Sequence, residues 1–221
     1  MREIILDTET TGLDPASGHR IVEIGCIELF NHLATGKSFH VYLNPERDVP
    51  DEVVKVHGLT AEFLADKQRF AEICEEFLAF VEDSPIIAHN ADFDLKFINA
   101  ELALCGQAKI ATTRAIDTVT MARKKFPGAP ASLDALCKRF MIDNSTRSLH
   151  GALLDAQLLA EVYLELMGGR QPDLVLAAVT ETVGVVQEIV HRPARMHVAS
   201  EAELAAHAEF LNKLTKPIWL N

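Results

Sequence analysis

Three consecutive apolar residues, Ile4-Ile5-Leu6, follow Met1-Arg2-Glu3. A run without polar interruption suits a short central strand over residues 3–6, buried on both faces. Thr10-Thr11-Gly12 breaks it. Residues 20–30 read as a second strand and residues 37–43 as a third, in which Phe39, Val41 and Leu43 alternate with polar neighbours. Asn44-Pro45-Glu46-Arg47 ends the third, and the three predict a meander. The period then changes from two to that of a helix. Phe70, Ile73, Phe77 and Phe80 recur at helical spacing. Pro85-Ile86-Ile87-Ala88 is a short buried strand, followed by a helix carrying Phe93, Phe97 and Ala100 with Asn90 at its N-cap. A brief strand at Ala115-Ile116 and a short helix opened by Ser132, with Leu133, Leu136 and Phe140, come next. The last strong helix covers residues 151–167, with Leu154, Leu158, Val162 and Leu166 as its apolar stripe and Gln157, Glu161 and Glu165 as its wet face. Gly168-Gly169 terminates it. Three strands, then strand and helix in alternation, predict an α/β domain with a mixed sheet.

Beyond Gly169 the pattern changes. Residues 171–221 hold Gln171-Pro172, a valine-rich stretch (Val183, Val185, Val186, Val190), a helix pattern over 200–214 and Trp219. With 221 residues the chain fits one domain over 1–170 and an appended tail over 171–221. No apolar run is long enough to span a bilayer. A strand-like run begins almost at the first residue, so no signal peptide is expected. Cys26, Cys74, Cys105 and Cys137 are scattered in apolar stretches and read as buried thiols in a reducing cytoplasm rather than as disulfides or a zinc site. Lys and Arg number 21 against 32 Asp and Glu, a net charge of −11. A protein that grips nucleic acid unaided neutralises phosphates with a basic face. If DNA is the substrate here, bound cations must offset the repulsion and a partner delivers the strand.

Candidate chemistry sits in three places. Asp7 and Glu9 lie two residues apart, on one face of a strand. Taken alone, that pattern is common and reads as two acids reaching solvent where the strand ends. Asp94 falls in the first turn of a helix between Phe93 and Leu95, and shares a face with Ile98, so it points into the protein. Asp92 fits a favourable interaction with the helix dipole better. Asp155 interrupts Leu153-Leu154-Asp155-Ala156 on a core-facing flank, with no Lys or Arg one turn away, and a metal ion is the natural partner. His150 precedes it by five residues, which on one helix would set the two side chains about 140° apart. His150 is therefore expected just before the helix and Asp155 within its first turns, both reaching one pocket.

The segments Leu6-Asp7-Thr8-Glu9-Thr10-Thr11-Gly12-Leu13, His89-Asn90-Ala91-Asp92-Phe93-Asp94 and His150-Gly151-Ala152-Leu153-Leu154-Asp155 resemble, in order and spacing, the three motifs of the DEDDh exonuclease family. Further stretches resemble a proofreading branch of that family attached to a replicative DNA polymerase. They include Arg20-Ile21-Val22-Glu23-Ile24-Gly25, Val56-His57-Gly58 and Ser132-Leu133-Asp134-Ala135-Leu136-Cys137. The resemblance is dense over residues 1–170 and looser over 185–221. It implies a ribonuclease-H-like mixed five-stranded sheet flanked by helices. It implies that Asp7, Glu9, Asp94 and Asp155 hold two divalent cations, Mg²⁺ or Mn²⁺, and that His150 is the general base. Glu52, His57 and Phe93 match positions that contact the terminal nucleotide, and Thr10 to Gly12 lies where the main chain meets it; Glu9 and Asp155 touch substrate as well. The implied activity is 3′–5′ hydrolysis of DNA ends.

The tail is expected to bind the catalytic (alpha) subunit of the polymerase, with Leu204, His207, Ala208 and Leu211 along one helix face and Trp219 as an anchor. The same helix packing back as ordinary core is the plainer reading. Gln171-Pro172-Asp173-Leu174-Val175-Leu176 resembles short peptides that dock on sliding clamps, although so short a pattern also arises in plain linkers. Two other functions stay open on the sequence: a standalone exonuclease of RNA or single-stranded DNA, and a polymerase scaffold without catalysis.

Overall fold

A computed structural model of the chain describes residues 1–145, 149–169 and 198–213. Strand β1 covers Arg2–Thr10, well past the expected 3–6. Pairing explains the extension: β2 (Ile21–Phe30) runs antiparallel to it in register from Arg2↔Phe30 to Glu9↔Glu23, so the ladder holds the polar half of the strand as firmly as the apolar half. Asp7 and Glu9 thus stand inside a strand rather than past its end. Strand β3 (Leu33–Tyr42) completes the meander. It joins β2 through Asn31 and His32, both at positive φ, a two-residue turn whose twist matches that of the strands. Strand β4 (Ile86–Ala88) pairs parallel with β1, and β5 (Ala115–Asp117) parallel with β4. The order is β3-β2-β1-β4-β5, the mixed five-stranded sheet of the expected fold class.

Eight helices are described: α1 (Asp51–His57), α2 (Ala61–Leu64), α3 (Phe70–Val81), α4 (Ala91–Leu104), α5 (Thr118–Lys125), α6 (Leu133–Phe140), α7 (Ala152–Leu166) and α8 (Glu201–Asn212). The pleat sorts the core. Ile4, Leu6, Ile24 and Cys26 pack under α3 and α4 with Phe70, Phe77, Phe97 and Ile98. Ile5, Ile27, Leu29 and Ile87 pack under α6 and α7 with Leu136, Leu158, Leu159 and Val162. Helix α7 buries a wider arc than the expected stripe: Leu154 is half-buried, whereas Ala152, Ala156, Leu159 and Tyr163 are buried. Gly25 permits this approach, because a Cβ there would run into the main chain of Ala152 and Leu153. At the far end of β1, the Tyr163 hydroxyl donates to the buried Glu3 carboxylate at 2.8 Å. Helix α7 therefore lies antiparallel to β1, with Asp155 at the Asp7 end.

Two expectations need correction. Asn90 does occupy the N-cap position of α4, but in a left-handed conformation (φ 73°) and without a side-chain cap; its N–H instead donates to Asp117 at 2.9 Å. Cys105 is only half-buried, while the other three cysteines are buried; no disulfide joins the four.

The chain divides into two units, Met1–Val175 and Leu176–Asn221. In the second, α8 carries a Ser200/Glu203 capping box, and its Leu204 and Phe210 are exposed. Trp219, the clamp-like peptide at 171–176 and the expected boundary after residue 170 lie outside the described residues. Among the described residues no helix is long and apolar enough to cross a membrane.

Candidate active site

The carboxyl ends of β1 and β4 open onto a cavity of about 300 Å³ lined by Asp7, Glu9, His89, Phe93, Asp94, Ser132, Asp134, His150 and Asp155, among others. Each acid is delivered by a different local device. Asp7 and Glu9 project from one face of β1, and Gly25 opposite Asp7 leaves that face open to the start of α7. Helix α4 begins immediately beyond β4, so its first turn carries Phe93 and Asp94 over the end of the sheet. Asp155 lies in the first turn of α7, and His150 stands two residues before that helix, its N–H donating to the Val56 carbonyl at 3.0 Å. All five residues picked out from sequence therefore line one cavity.

Their surroundings differ. Asp94 and Asp155 are buried, Asp7 and Glu9 half-buried, His150 exposed. The Thr8 hydroxyl donates to Asp94 Oδ1 at 2.7 Å. Burial dominates that interaction and pushes the Asp94 carboxyl up to about 7. Ligand atoms of Glu9, His150 and Asp155 lie within 4.8 Å of one another, close enough to hold an ion among them. Asp7 and Asp94 share the cavity but stand outside that tight set. Asp155 has a partner that sequence did not supply: His150 Nδ1 lies 3.2 Å from its Oδ2. The absence of Lys or Arg on the helix was correct, but the partner comes from the preceding turn.

The residues expected at the terminal nucleotide fall in two groups. Phe93 lines the acidic cavity, with its ring 5.0 Å from that of Phe97. Gly12 and Glu52 line a neighbouring groove with Leu13, His19 and Val53. His57 lines neither but lies near both Thr10 and His150: it is buried, its Nδ1 accepts the Leu59 N–H at 3.0 Å, and burial, then the nearby His150, lower its basicity. Thr10 is buried, with its hydroxyl donating to the Gly12 carbonyl at 2.6 Å. Glu52 is exposed and apart from the acids.

Sequence reasoning missed His89, Ser132 and Asp134 in the cavity wall, and two further buried acids. Glu23 sits next to Glu9 across β1 and β2, with His40 Nε2 at 2.7 Å. Glu101 pairs with Arg20 at 2.7 and 2.8 Å. Their signal was present: each is an acid set among apolar neighbours in an otherwise core-facing pattern.

A mixed sheet with acids from β1, α4 and α7 converging at its carboxyl edge defines a nuclease. The chain belongs to the exonuclease family, whose RNase_T profile matches residues 4–163, and the 3′–5′ exonuclease activity expected of it is that of its family. Its relatives narrow the group to the epsilon subunits of DNA polymerase III. It is 54% identical over 228 residues to DNA polymerase III subunit epsilon of Rickettsia prowazekii, covering 97% of each chain. It is 46% identical over 229 residues to that of Salmonella typhimurium, covering 97% of this chain and 94% of the relative. Among solved structures it is similar to exonuclease X in complex with 5′ overhanging duplex DNA, at 26% identity and a TM-score of 0.59, over 75% of this chain and 90% of that one.

Proposed function

We propose that the chain removes nucleotides one at a time from the 3′ end of DNA while attached to a replicative polymerase in the cytoplasm. One observation carries this reading: the carboxylates of Asp7, Glu9, Asp94 and Asp155 and the imidazole of His150, from three distant segments, line a single cavity. The donor set fits divalent cations. It is all oxygen apart from the imidazole, and a buried acid whose carboxyl is pushed up to about 7 is what a cation would relieve. Asp7, Glu9, Asp94 and Asp155 would hold two Mg²⁺ or Mn²⁺ ions, which when bound lower the pKa of water and stabilise a leaving oxygen.

The chain's own residues do the rest. His150 accepts the proton of the attacking water at Nε2, while Asp155 engages Nδ1 and fixes the ring. Phe93 stacks on or wedges beside the terminal base. His57, kept neutral by burial, and the main chain from Thr10 to Gly12 hold the terminal nucleotide, with Glu52 at the edge of the groove. The tail over 171–221 binds the polymerase catalytic subunit, and residues 171–176 offer a peptide to the sliding clamp.

The test is release of mononucleotides from a 3′-mismatched primer in Mg²⁺ or Mn²⁺, with and without polymerase. EDTA should abolish it, as should Asp7→Ala or Asp155→Ala in protein that stays folded. His150→Ala should cost about 10²–10⁴-fold in rate. Near-normal turnover by either aspartate variant defeats the ligand assignment, and an RNA oligonucleotide cut faster than DNA points to a standalone RNA exonuclease.

A further inference from the structure

An ion pair between the half-buried Arg20 and the buried Glu101 ties the turn that follows β1 to helix α4. Arg20 Nε and Nη2 donate to the two carboxylate oxygens of Glu101 at 2.7 and 2.8 Å, a two-pronged pairing that fixes direction as well as distance. Glu101 is buried, and its Oε1 also accepts the Ile21 N–H at 3.4 Å. The main chain of Arg20 grips Thr11 from both sides: Thr11 N–H donates to the Arg20 carbonyl at 2.9 Å, and Arg20 N–H to Thr11 Oγ1 at 3.0 Å. Thr11 Oγ1 also lies 3.2 Å from His19 Nδ1, the ring on which Gly12 rests.

Helix geometry gives this chain of bonds its meaning. Glu101 follows Asp94 by seven residues, almost two full turns, so both side chains leave the same face of α4 about 10 Å apart along its axis. Asp94 is bonded to Thr8, and Glu101 reaches Thr11 through Arg20. Helix α4 thus holds β1 at two points that bracket Glu9 and Thr10, where the strand register shifts. We propose that Arg20, acting through Glu101, is a positioning residue for terminal-nucleotide binding: it holds the Thr10–Gly12 turn at a set distance from α4 and hence from Phe93. This rests on the nuclease reading above.

A comparison pair is built into the same sheet. Arg2 bonds the buried Glu28 at 2.6 Å and Ser84 at 2.8 Å at the opposite end of β1, remote from the cavity. The experiment uses the full chain with Arg20→Lys, Glu101→Gln and Arg2→Lys, a single-stranded oligodeoxynucleotide in saturating Mg²⁺, and a temperature well below each melting point. Arg20→Lys and Glu101→Gln should raise KM about three- to tenfold while kcat stays within about twofold. Arg2→Lys should lower the melting temperature to a similar degree and leave KM unchanged. A merely structural ion pair would make Arg20→Lys and Arg2→Lys behave alike, and that result overturns the proposal, as does a fall in kcat at constant KM. Wild-type protein that hydrolyses nothing under these conditions removes the nuclease reading itself and this inference with it.

Discussion

Replacing Gly25 with alanine should separate the two halves of the active site without touching a functional group. Gly25 lies opposite Asp7 in the β1–β2 ladder and directly beneath the first turn of α7. A Cβ at this position would stand 2.3 Å from the Ala152 carbonyl carbon and 2.4 Å from both the Ala152 oxygen and the Leu153 nitrogen, where ordinary contact begins at 3.4 Å. These are backbone atoms, so no side chain can swing aside. Helix α7 must retreat by about 1 Å, and it carries Asp155 with it and pulls on His150 two residues before it, while Asp7 and Glu9 stay on the sheet. A displacement of about 1 Å between groups that must act together costs on the order of a hundredfold in rate. Overpacking of this kind costs about 1–3 kcal/mol, which for a chain of this size lowers the melting temperature by roughly 2–12 °C. Gly151 supplies the control. It caps the same helix with extended backbone (φ −156°), and a Cβ there would come no nearer than 4.0 Å to any atom, that atom being Glu23 Oε2. Gly151→Ala should therefore stay within a few-fold of wild type. The assay is the initial rate of mononucleotide release, alongside thermal melting by circular dichroism. Gly25→Ala turning over at the wild-type rate, or Gly151→Ala failing as badly, would refute the reasoning.

Three further outcomes are expected. Asp94 holds its proton to about pH 7 in the metal-free fold but releases it near 3.8 when unfolded. Between those values the native state carries the extra proton, so stability falls as pH rises through the window. In EDTA, wild type should lose melting temperature from pH 5 to 7.5 relative to Asp94→Asn, the two converging near pH 4, and parallel profiles would contradict the burial argument. His57→Ala should raise KM roughly five- to tenfold with a smaller loss of kcat, measured on single-stranded DNA, because its proposed contact forms with bound substrate rather than at the reacting atoms. Truncation after Gly169 should leave hydrolysis of short oligonucleotides intact while abolishing co-elution with the polymerase catalytic subunit; retained co-elution would remove the tail from the interface.

Much of this was legible because hydrophobic periodicity reports burial, and burial decides where strands and helices can pack. The apolar run at Ile4 to Leu6 and the Phe70 to Phe80 stripe are of that kind. Periodicity fails where an element is held by its neighbours rather than by its own apolar face. The outer half of β1 is Asp7 to Thr10, held by its ladder with β2, so its length was underestimated. Helices α1, α2 and α5 run to only 7, 4 and 8 residues, too short to show a repeated apolar stripe. Asp94 and Asp155 stand out in the sequence as carboxylates in apolar company, the same signal that Glu23 and Glu101 carry, whereas Asp7 and Glu9 gain weight only beside the other motifs. What one-dimensional reasoning lacks is the partner. Helical spacing offers Asp155 no base on α7 and so points to a cation; it does not reveal that His150 also reaches it from the turn before the helix. His57 and Glu52 carry no local signal at all and entered through resemblance alone.

The position of the site follows from chain topology more than from any one residue. Strand β1 has an antiparallel neighbour on one side, β2, reached by a loop at its carboxyl end, and a parallel neighbour on the other, β4, whose chain leaves in the same direction. The chain therefore departs from β1 and β4 at one edge toward opposite sides, which leaves a crevice beyond their carboxyl ends. Helix α7 covers one face of the sheet and α4 the other. Only beyond the end of the strands can a side chain from each helix meet one from β1, since anywhere else the sheet itself lies between them. Asp155 and Asp94 therefore had to lie in the first turns of their helices, and Asp7 and Glu9 in the last residues of their strand. Four carboxylates brought this close, in a chain of net charge −11, repel one another and the phosphates they are proposed to receive. A cation at their centre reverses both effects at once. Activity should consequently rise from nothing with divalent ion concentration, and monovalent salt at constant ionic strength should not replace it.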